Sequence, residues 1–491
     1  MTHPSDNASV SRPNILWICT DQQRFDTIAA LGNPHIRTPN LDRLCSQGTA
    51  FSRAYCQSPI CTPSRASFLT GMYPSTVHGC MNGNERWSGA APLVTKLLAD
   101  AGYRCGLVGK LHLAGIYAED GTLGRMEPRG DDGYEYFQWS PSPMDRWKSG
   151  HDYADWLKAK GKNLGELTTL TKGDNYTELE PGVPAELHQT TWCAEKAAEF
   201  IEESAGEDGR PWLLSVNPFD PHPPFNPPSD YLKRYDVRQM PLPVFRETDF
   251  ETQRRLEGAD FQTECRSPED INARLLIAAY YAMVELIDWN IGRMLEILEE
   301  TGQSDNTVIL FTSDHGEALG DHGLLLKGCR FYEGLARVPL VFSWPAKIRK
   351  ALVSPALVEL TDIAPTLLDL CGLDTPERMQ GRSLLPILTG EAAPDRHRDL
   401  VRCEYFRALN PDYRPKFEGT YANMVFDGRY KLSVYHGHEY GELYDIEKDP
   451  REFTNLWEDS EFAALKCRMI RQCLDALAFA VDPGPEQTVK S

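Results

Sequence analysis

Thr307-Val308-Ile309-Leu310-Phe311-Thr312, running directly into Ser313-Asp314-His315-Gly316, is the stretch on which the fold turns. An unbroken apolar run of this length, rich in β-branched and aromatic residues and preceded by a long helical pattern over 270–301, predicts a strand buried on both faces. It ends abruptly in a polar cluster. The same arrangement recurs three times upstream. Asn14-Ile15-Leu16-Trp17-Ile18-Cys19 delivers Asp21, and Cys105-Gly106-Leu107-Val108 stops at Gly109-Lys110-Leu111-His112. The run 212–216 gives way to Asn217-Pro218 and a proline-rich loop to residue 228. Helical patterns lie between them, over 39–48 with Leu41, Leu44 and Cys45 on one face, over 93–101 and over 191–204. Strands alternating with helices predict an α/β fold, a large and mostly parallel sheet sandwiched by helices. In such sheets ligands sit at the carboxyl ends of the strands, so the four polar strand ends are expected to meet.

Beyond residue 392 the pattern changes to short aromatic-rich strands over 400–405, 421–426 and 430–435, with an Asp427-Gly428 turn that makes the last two a hairpin. A helix over 461–479 is expected to pack on this small antiparallel sheet. The chain therefore divides into a catalytic domain at 1–391 and a small α+β subdomain at 392–491. The stretch 113–186, with many Gly, Pro and Trp residues, reads as loop. No internal repeat or low-complexity tract interrupts the chain.

With 491 residues, 41% hydrophobic and 25% charged, the chain is globular in composition, which excludes disordered and fibrous classes. A net charge of −20 argues against a nucleic-acid or anionic-membrane partner, since both demand a cationic footprint. An anionic substrate must then be met by a local cationic pocket. Residues 1–12 are polar and the apolar run 15–19 is too short for an export signal or a membrane span. Thirteen cysteines, an odd number with no Cys-x-x-Cys pair, fit a reducing compartment, and the expected location is the cytoplasm.

Cys61-Thr62-Pro63-Ser64-Arg65, followed by Leu69-Thr70-Gly71, resembles the activation signature of the type I, formylglycine-dependent sulfatases of the alkaline phosphatase superfamily. Taken as residues alone, it is also a buried thiol and a proline turn that opens a helix at Ser64. The resemblance implies that a separate maturation enzyme oxidises Cys61 to formylglycine, an aldehyde. A hydrated aldehyde carries two hydroxyls on one carbon. One attacks the sulfur of a sulfate ester, and the second then loses its proton and expels sulfate by C–O cleavage.

The same resemblance implies an alkaline phosphatase-like fold and a set of partners for Cys61. Asp21, Asp314, His315 and the modified Cys61 would ligate one divalent cation, with Gln22 as a further oxygen ligand. Many sulfatases carry Asp-Asp at the first corner and Asp-Asn at the second. This chain departs from both, and its pattern is similar to the choline-sulfatase and phosphonate-monoesterase branch. Calcium is the first expectation, with manganese or magnesium as alternatives, because manganese tolerates an imidazole better than calcium does. Arg65 would hold the formylglycine hydroxyl, while Lys110 and Lys327 would bind the sulfate group. His112 would take the proton during sulfate release, and His222, in Asp220-Pro221-His222-Pro223-Pro224-Phe225, would serve the leaving oxygen. Asn82 is the expected substrate donor, with Asn84 competing for that role.

A sulfatase acting on an aryl sulfate, a sulfated saccharide or another small sulfate ester is the leading reading. The retained Lys110-x-His112 pair ranks it above a phosphonate monoester or phosphodiester hydrolase on the same scaffold, since phosphonate monoesterases tend to lack that pair. A binding protein with a dead site is the third reading, and no catalytic group is missing to support it. Trp87, Trp139, Trp147, Trp156, Arg86 and Arg407 lie in the loops expected to shape the leaving-group pocket. Self-association stays open.

Overall fold

The computed structural model describes residues 12–115, 127–143, 151–167, 182–206, 209–260, 262–409 and 419–481. A nine-stranded sheet forms its centre. In chain order its strands are β1 (Asn14–Thr20), β2 (Thr49–Tyr55), β3 (Arg104–Gly109), β4 (Tyr136–Trp139), β5 (Trp212–Asn217), β6 (Thr307–Ser313), β7 (Arg337–Val338), β8 (Leu340–Ser343) and β9 (Leu352–Glu359). In space β4, β3, β5, β1 and β6 run parallel side by side. Beyond β6 the sheet turns antiparallel through β8 to β2, which also takes β7 on that flank and β9, parallel, on the other.

The continuous apolar runs have a direct cause. Ile15, Trp17 and Cys19 of β1 enter one core layer while Leu16 and Ile18 enter the opposite one, and β6 divides in the same way, with Val308 and Leu310 against Ile309 and Phe311. With both faces covered, neither strand has a polar side to show. Helices cover each face. The helix Ala273–Glu300 packs on Gln189–Ala205 and Pro39–Gln47. It is long and apolar enough to cross a membrane, yet 83% of its apolar window is buried inside the protein. The helix Cys61–Thr70 lies in the other layer, buried along its whole length, with the Phe68 ring 5.4 Å from that of Trp17.

The four expected strands are present as β3, β5, β1 and β6, adjacent in the interior of the sheet, and the sheet is larger than the sequence pattern indicated. β2, β7, β8 and β9 have no counterpart in the sequence pattern, and neither does β4, which lies in the stretch expected to be loop. Residues 116–126, 144–150 and 168–181 of that stretch, including Trp147, lie outside the described residues.

A second, antiparallel sheet consists of β10 (Val401–Phe406), β11 (Tyr421–Phe426), β12 (Tyr430–Tyr435) and β13 (Glu442–Asp445) in simple order, with the helix Ala463–Ala478 packed on β11 and β12. The Asp427 side chain accepts from the Arg429 and Tyr430 amides at 3.0 and 2.7 Å, closing the predicted hairpin. Buried charge joins the two sheets. Arg398 pairs with Asp362, and Lys431 of β12 pairs with Glu333 and Glu452.

Candidate active site

β3, β5, β1 and β6 are neighbours, so their carboxyl ends bring Lys110, Asp220, Asp21 and Asp314 to one edge of the sheet. Two backbone bonds stitch these ends together: the Asp21 amide donates to the Asp220 carbonyl and the Asp314 amide to the Thr20 carbonyl, each at 3.2 Å. Gln22 turns the chain in the left-handed region at φ 70°, and its amide donates to Asp314 Oδ1 at 3.0 Å.

The helix Cys61–Thr70 enters this edge with Cys61 at its first position. Pro63 is tolerated because first-turn amides have no intrahelical acceptor. Each neighbour of the thiol has a contact of its own. The Thr62 amide donates to Asn82 Oδ1 at 3.2 Å, Ser64 Oγ donates to the Asp314 carbonyl at 2.5 Å, and Arg65 Nε donates to Asp314 Oδ2 at 2.9 Å. Gly71 ends the helix at φ 66°, where a Cβ would meet Met379 Cγ at 2.5 Å, so both backbone and space require glycine. Gly109 is constrained likewise, at φ 103° with Asn217 O only 2.0 Å from where a Cβ would stand. The next residue, Lys110, carries its ammonium onto Asp21 Oδ2.

At the centre Cys61 Sγ lies 3.2 Å from His315 Nε2, 3.1 Å from Lys327 Nζ and 3.6 Å from Asp21 Oδ1. Burial and Asp21 push the Cys61 thiol up, but Lys110, Lys327 and His315 outweigh them and bring it down to about 6. Burial would also raise the Asp21 carboxyl, and Lys110 chiefly holds it well below the usual range. Burial and then Lys110 push His112 well below the usual histidine range, while burial and then Lys327 do the same to His222. Asp21 opposes the lysines at both imidazoles, and Arg65 adds to them at His112.

Asp21, Cys61, Asp314 and His315 present ligand atoms that all lie within 4.8 Å of one another, all buried. Two ligands on opposite sides of a cation with bonds of about 2.3–2.6 Å stand about 4.6–5.2 Å apart, so the set can share one ion. His315 suits the task. Its Nδ1 faces the Gly316 carbonyl at 2.8 Å, which assigns a proton there; burial lowers the imidazole, but Asp314 and Cys61 outweigh it and raise it to about 9, so a bound cation would displace the Nε2 proton to use that lone pair. Gln22 Oε1 accepts from Lys327 Nζ at 2.7 Å, and Gln22 Nε2 donates to Glu317. Arg65 Nη2 and His112 Nδ1 are buried with no hydrogen-bond partner among the described residues.

The expected residues thus gather, Asn82 at one remove through Thr62, and His222 with its Nδ1 on the Pro223 carbonyl at 2.7 Å. Asn84 offers its backbone carbonyl to Gly115. Two of the expected pocket residues do other work. Trp139 is buried in β4, and Trp156 Nε1 donates to Glu195 of a flanking helix. Two carboxylates were missed. Glu127 accepts from the amides of His112 and Ala114, each at 2.8 Å, and from that of Leu113. Glu317 accepts from Gln22 and from the Leu319 and Leu326 amides. The signal for Glu317 was its place two residues beyond His315; Glu127, in a stretch with no readable pattern, had none.

The sequence profile of the family described as Sulfatase matches residues 13–373, and that of N-sulphoglucosamine sulphohydrolase, C-terminal, matches residues 320–478. An arylsulfatase of Clostridium perfringens is 30% identical over 459 residues, which cover 92% of this chain and 91% of that one. A choline-sulfatase of Rhizobium meliloti is 31% identical over 465 residues, covering 92% and 83% respectively. Among solved structures, the phosphonate monoester hydrolase of Agrobacterium radiobacter superposes with a TM-score of 0.80 at 26% identity, over 96% of each chain.

Proposed function

The chain belongs to the sulfatase family of the alkaline phosphatase superfamily and is a hydrolase of sulfate esters, and on that footing we propose that it cleaves a small organic sulfate monoester through a formylglycine hydrate made from Cys61. One observation carries this reading. The sulfur of Cys61 is buried between His315 Nε2 at 3.2 Å and Lys327 Nζ at 3.1 Å, beside two carboxylates, where a plain structural thiol would have apolar neighbours. A divalent cation held by Asp21, Asp314, His315, the modified residue 61 and Gln22 Oε1 would acidify the attacking hydroxyl and neutralise a sulfate oxygen.

The chain's own residues divide the remaining work. Lys110 and Lys327 are fixed cations in a water-poor site, suited to the charge that develops on the sulfuryl group. Arg65, anchored on Asp314 through Nε, keeps Nη2 for an oxygen on residue 61. As the hydrate oxygen bonds to sulfur, the ester O–S bond breaks and the alcohol leaves. With Nδ1 on the Pro223 carbonyl, His222 has Nε2 left for the departing oxygen. It gains a proton to give only when the anionic substrate offsets Lys327 and Lys110. His112 then takes the proton of the second hydroxyl while the C–O bond to sulfate breaks, which regenerates the aldehyde for hydration.

Phosphonate monoester or phosphodiester hydrolysis is the second reading, favoured by the Asp21-Gln22 and Asp314-His315 corners and by the similarity to the phosphonate monoester hydrolase. Two measurements on protein matured with a formylglycine-generating enzyme separate them. Mass analysis of the Cys61 peptide should find the aldehyde, and kcat/KM should be higher for aryl sulfates than for phosphonate monoesters. A tenfold preference for phosphonates, about 1.4 kcal/mol of transition-state binding, would establish the second reading. An unmodified Cys61 in active protein would refute both.

A further inference from the structure

Glu317 is fully buried two residues beyond His315, and its carboxylate is wholly engaged by three separate segments. One oxygen accepts from Gln22 Nε2 at the end of β1. The other accepts from the Leu319 amide of its own segment at 3.0 Å and from the Leu326 amide, the residue before Lys327. Burial pushes the Glu317 carboxyl up, but three N–H donors meet its two oxygens, so it serves as acceptor and takes the nitrogen end of the Gln22 amide. The nitrogen must face Glu317, and the oxygen must face the centre, where it lies 2.7 Å from Lys327 Nζ. The Gln22 backbone is pinned as well, its amide on Asp314 Oδ1 at 3.0 Å and its carbonyl accepting from Tyr280 OH at 2.6 Å. Only the amide orientation remains to be chosen, and it is set from both sides, by the Glu317 acceptor and by the Lys327 donor.

Resting on the metal site proposed above, we infer that Glu317 is a positioning residue that presents the Gln22 amide oxygen to the cation and sets the segment carrying Lys327. This also accounts for the amide at residue 22. A carboxylate there would stand against the buried carboxylate of Glu317, two like charges in a site of low polarity. An amide meets one anion with its nitrogen and offers an oxygen to the other side.

The test is an exchange of the pair. In Glu317→Gln the introduced amide keeps its oxygen on the two backbone amides and turns its nitrogen toward Gln22. Gln22 then either flips, its nitrogen set against the Lys327 ammonium and the acceptor lost, or keeps its oxygen on Lys327 with two amide nitrogens opposed, and either arrangement loosens the hold on that oxygen. Outer residues that orient metal ligands typically govern affinity or activity by about 10–100-fold, and a loss of Mn²⁺ affinity in that range is expected, read by calorimetry on chelator-stripped full-length protein. In the double variant Gln22→Glu/Glu317→Gln, donor and acceptor change places. The introduced carboxylate accepts from the introduced amide and still turns an oxygen to the centre, so affinity should recover to within a few-fold of the parent. A purely structural role for Glu317 would give no such recovery. Parental affinity in Glu317→Gln, or a double variant no better than the single, overturns the inference; if the single variant does not fold, the double variant decides by the same criterion. Failure of the parent itself to bind Ca²⁺, Mn²⁺ or Mg²⁺ would instead overturn the metal site.

Discussion

Replacing Lys110 with methionine should cost the metal-free protein more stability than the metal-loaded one, and should cost turnover in both. Lys110 is 4% exposed and its ammonium sits on Asp21, which is 0% exposed. Methionine keeps the stem volume and removes the charge, leaving Asp21 as a buried carboxylate without its main partner. Breaking a buried pair in this way costs about 3–5 kcal/mol. Arg65 and Lys327 still act on Asp21, which places the expected loss near the lower end, about 3 kcal/mol. A bound divalent cation would take over the compensation of Asp21 and shrink that loss. Turnover should nevertheless fall by about 10²–10³, or about 2.7–4 kcal/mol, because one fixed donor to the reacting group is gone. Thermal melts of parent and variant, each with chelator and with Mn²⁺, test the first part, and kcat on an aryl sulfate tests the second. A melting deficit of equal size with and without Mn²⁺ would refute the idea that Lys110 and the cation share Asp21. Turnover within tenfold of the parent would remove Lys110 from the sulfate-binding group.

Three further outcomes are expected. Cys61→Ala should leave the melting curve close to that of the parent, since alanine suits the first turn of a helix, while turnover falls to background; residual turnover above a trace would exclude a nucleophile at residue 61. His222→Ala should slow alkyl sulfates more than activated aryl sulfates, because a good leaving group needs less protonation, and equal losses on both would count against that role. Burial first, then Glu333, raises Glu452 to about 7 although Lys431 opposes them, so the folded state binds more protons than the unfolded one between the ordinary glutamate range and that value. Its contribution to stability is therefore present at acidic pH and lost as pH rises toward 7. Glu452→Gln, which keeps an acceptor for the Glu333 amide, should flatten melting temperature against pH across that window, and an unchanged slope would refute the assignment.

What could be read from sequence follows from where the chain is buried. β1, β3, β5 and β6 lie inside the sheet with both faces covered, so each had to be a continuous apolar run, and each was found. β2 has Ser52 and Arg53 half-buried in its middle and shifts register between Phe51 and Arg53, which breaks any simple period. β7 and β8 are divided by Pro339, and β9 carries Pro355, tolerated because β9 is an outer strand of the sheet. The site was legible wherever a strand end or a contiguous signature named it. It was illegible where a carboxylate serves distant backbone amides, since such service leaves no spacing to detect.

Asp314 and Glu127, one legible in the sequence and one not, answer a need that the backbone creates. Gln22 at φ 70° and His112 at φ 57° are non-glycine residues in the left-handed region, which costs on the order of 1–3 kcal/mol each. Both flank the centre, where the chain must turn sharply from a strand end to deliver a side chain. In each the amide is tied to a buried carboxylate, Gln22 to Asp314 at 3.0 Å and His112 to Glu127 at 2.8 Å. A hydrogen bond to a charged group contributes about 1.5–3 kcal/mol, the same order as the strain it holds in place. Asp314 faces the proposed cation as well, so at Gln22 the strained turn and the metal corner share one carboxylate, whereas at His112 the support comes from Glu127, which belongs to no strand end and to no sequence signature.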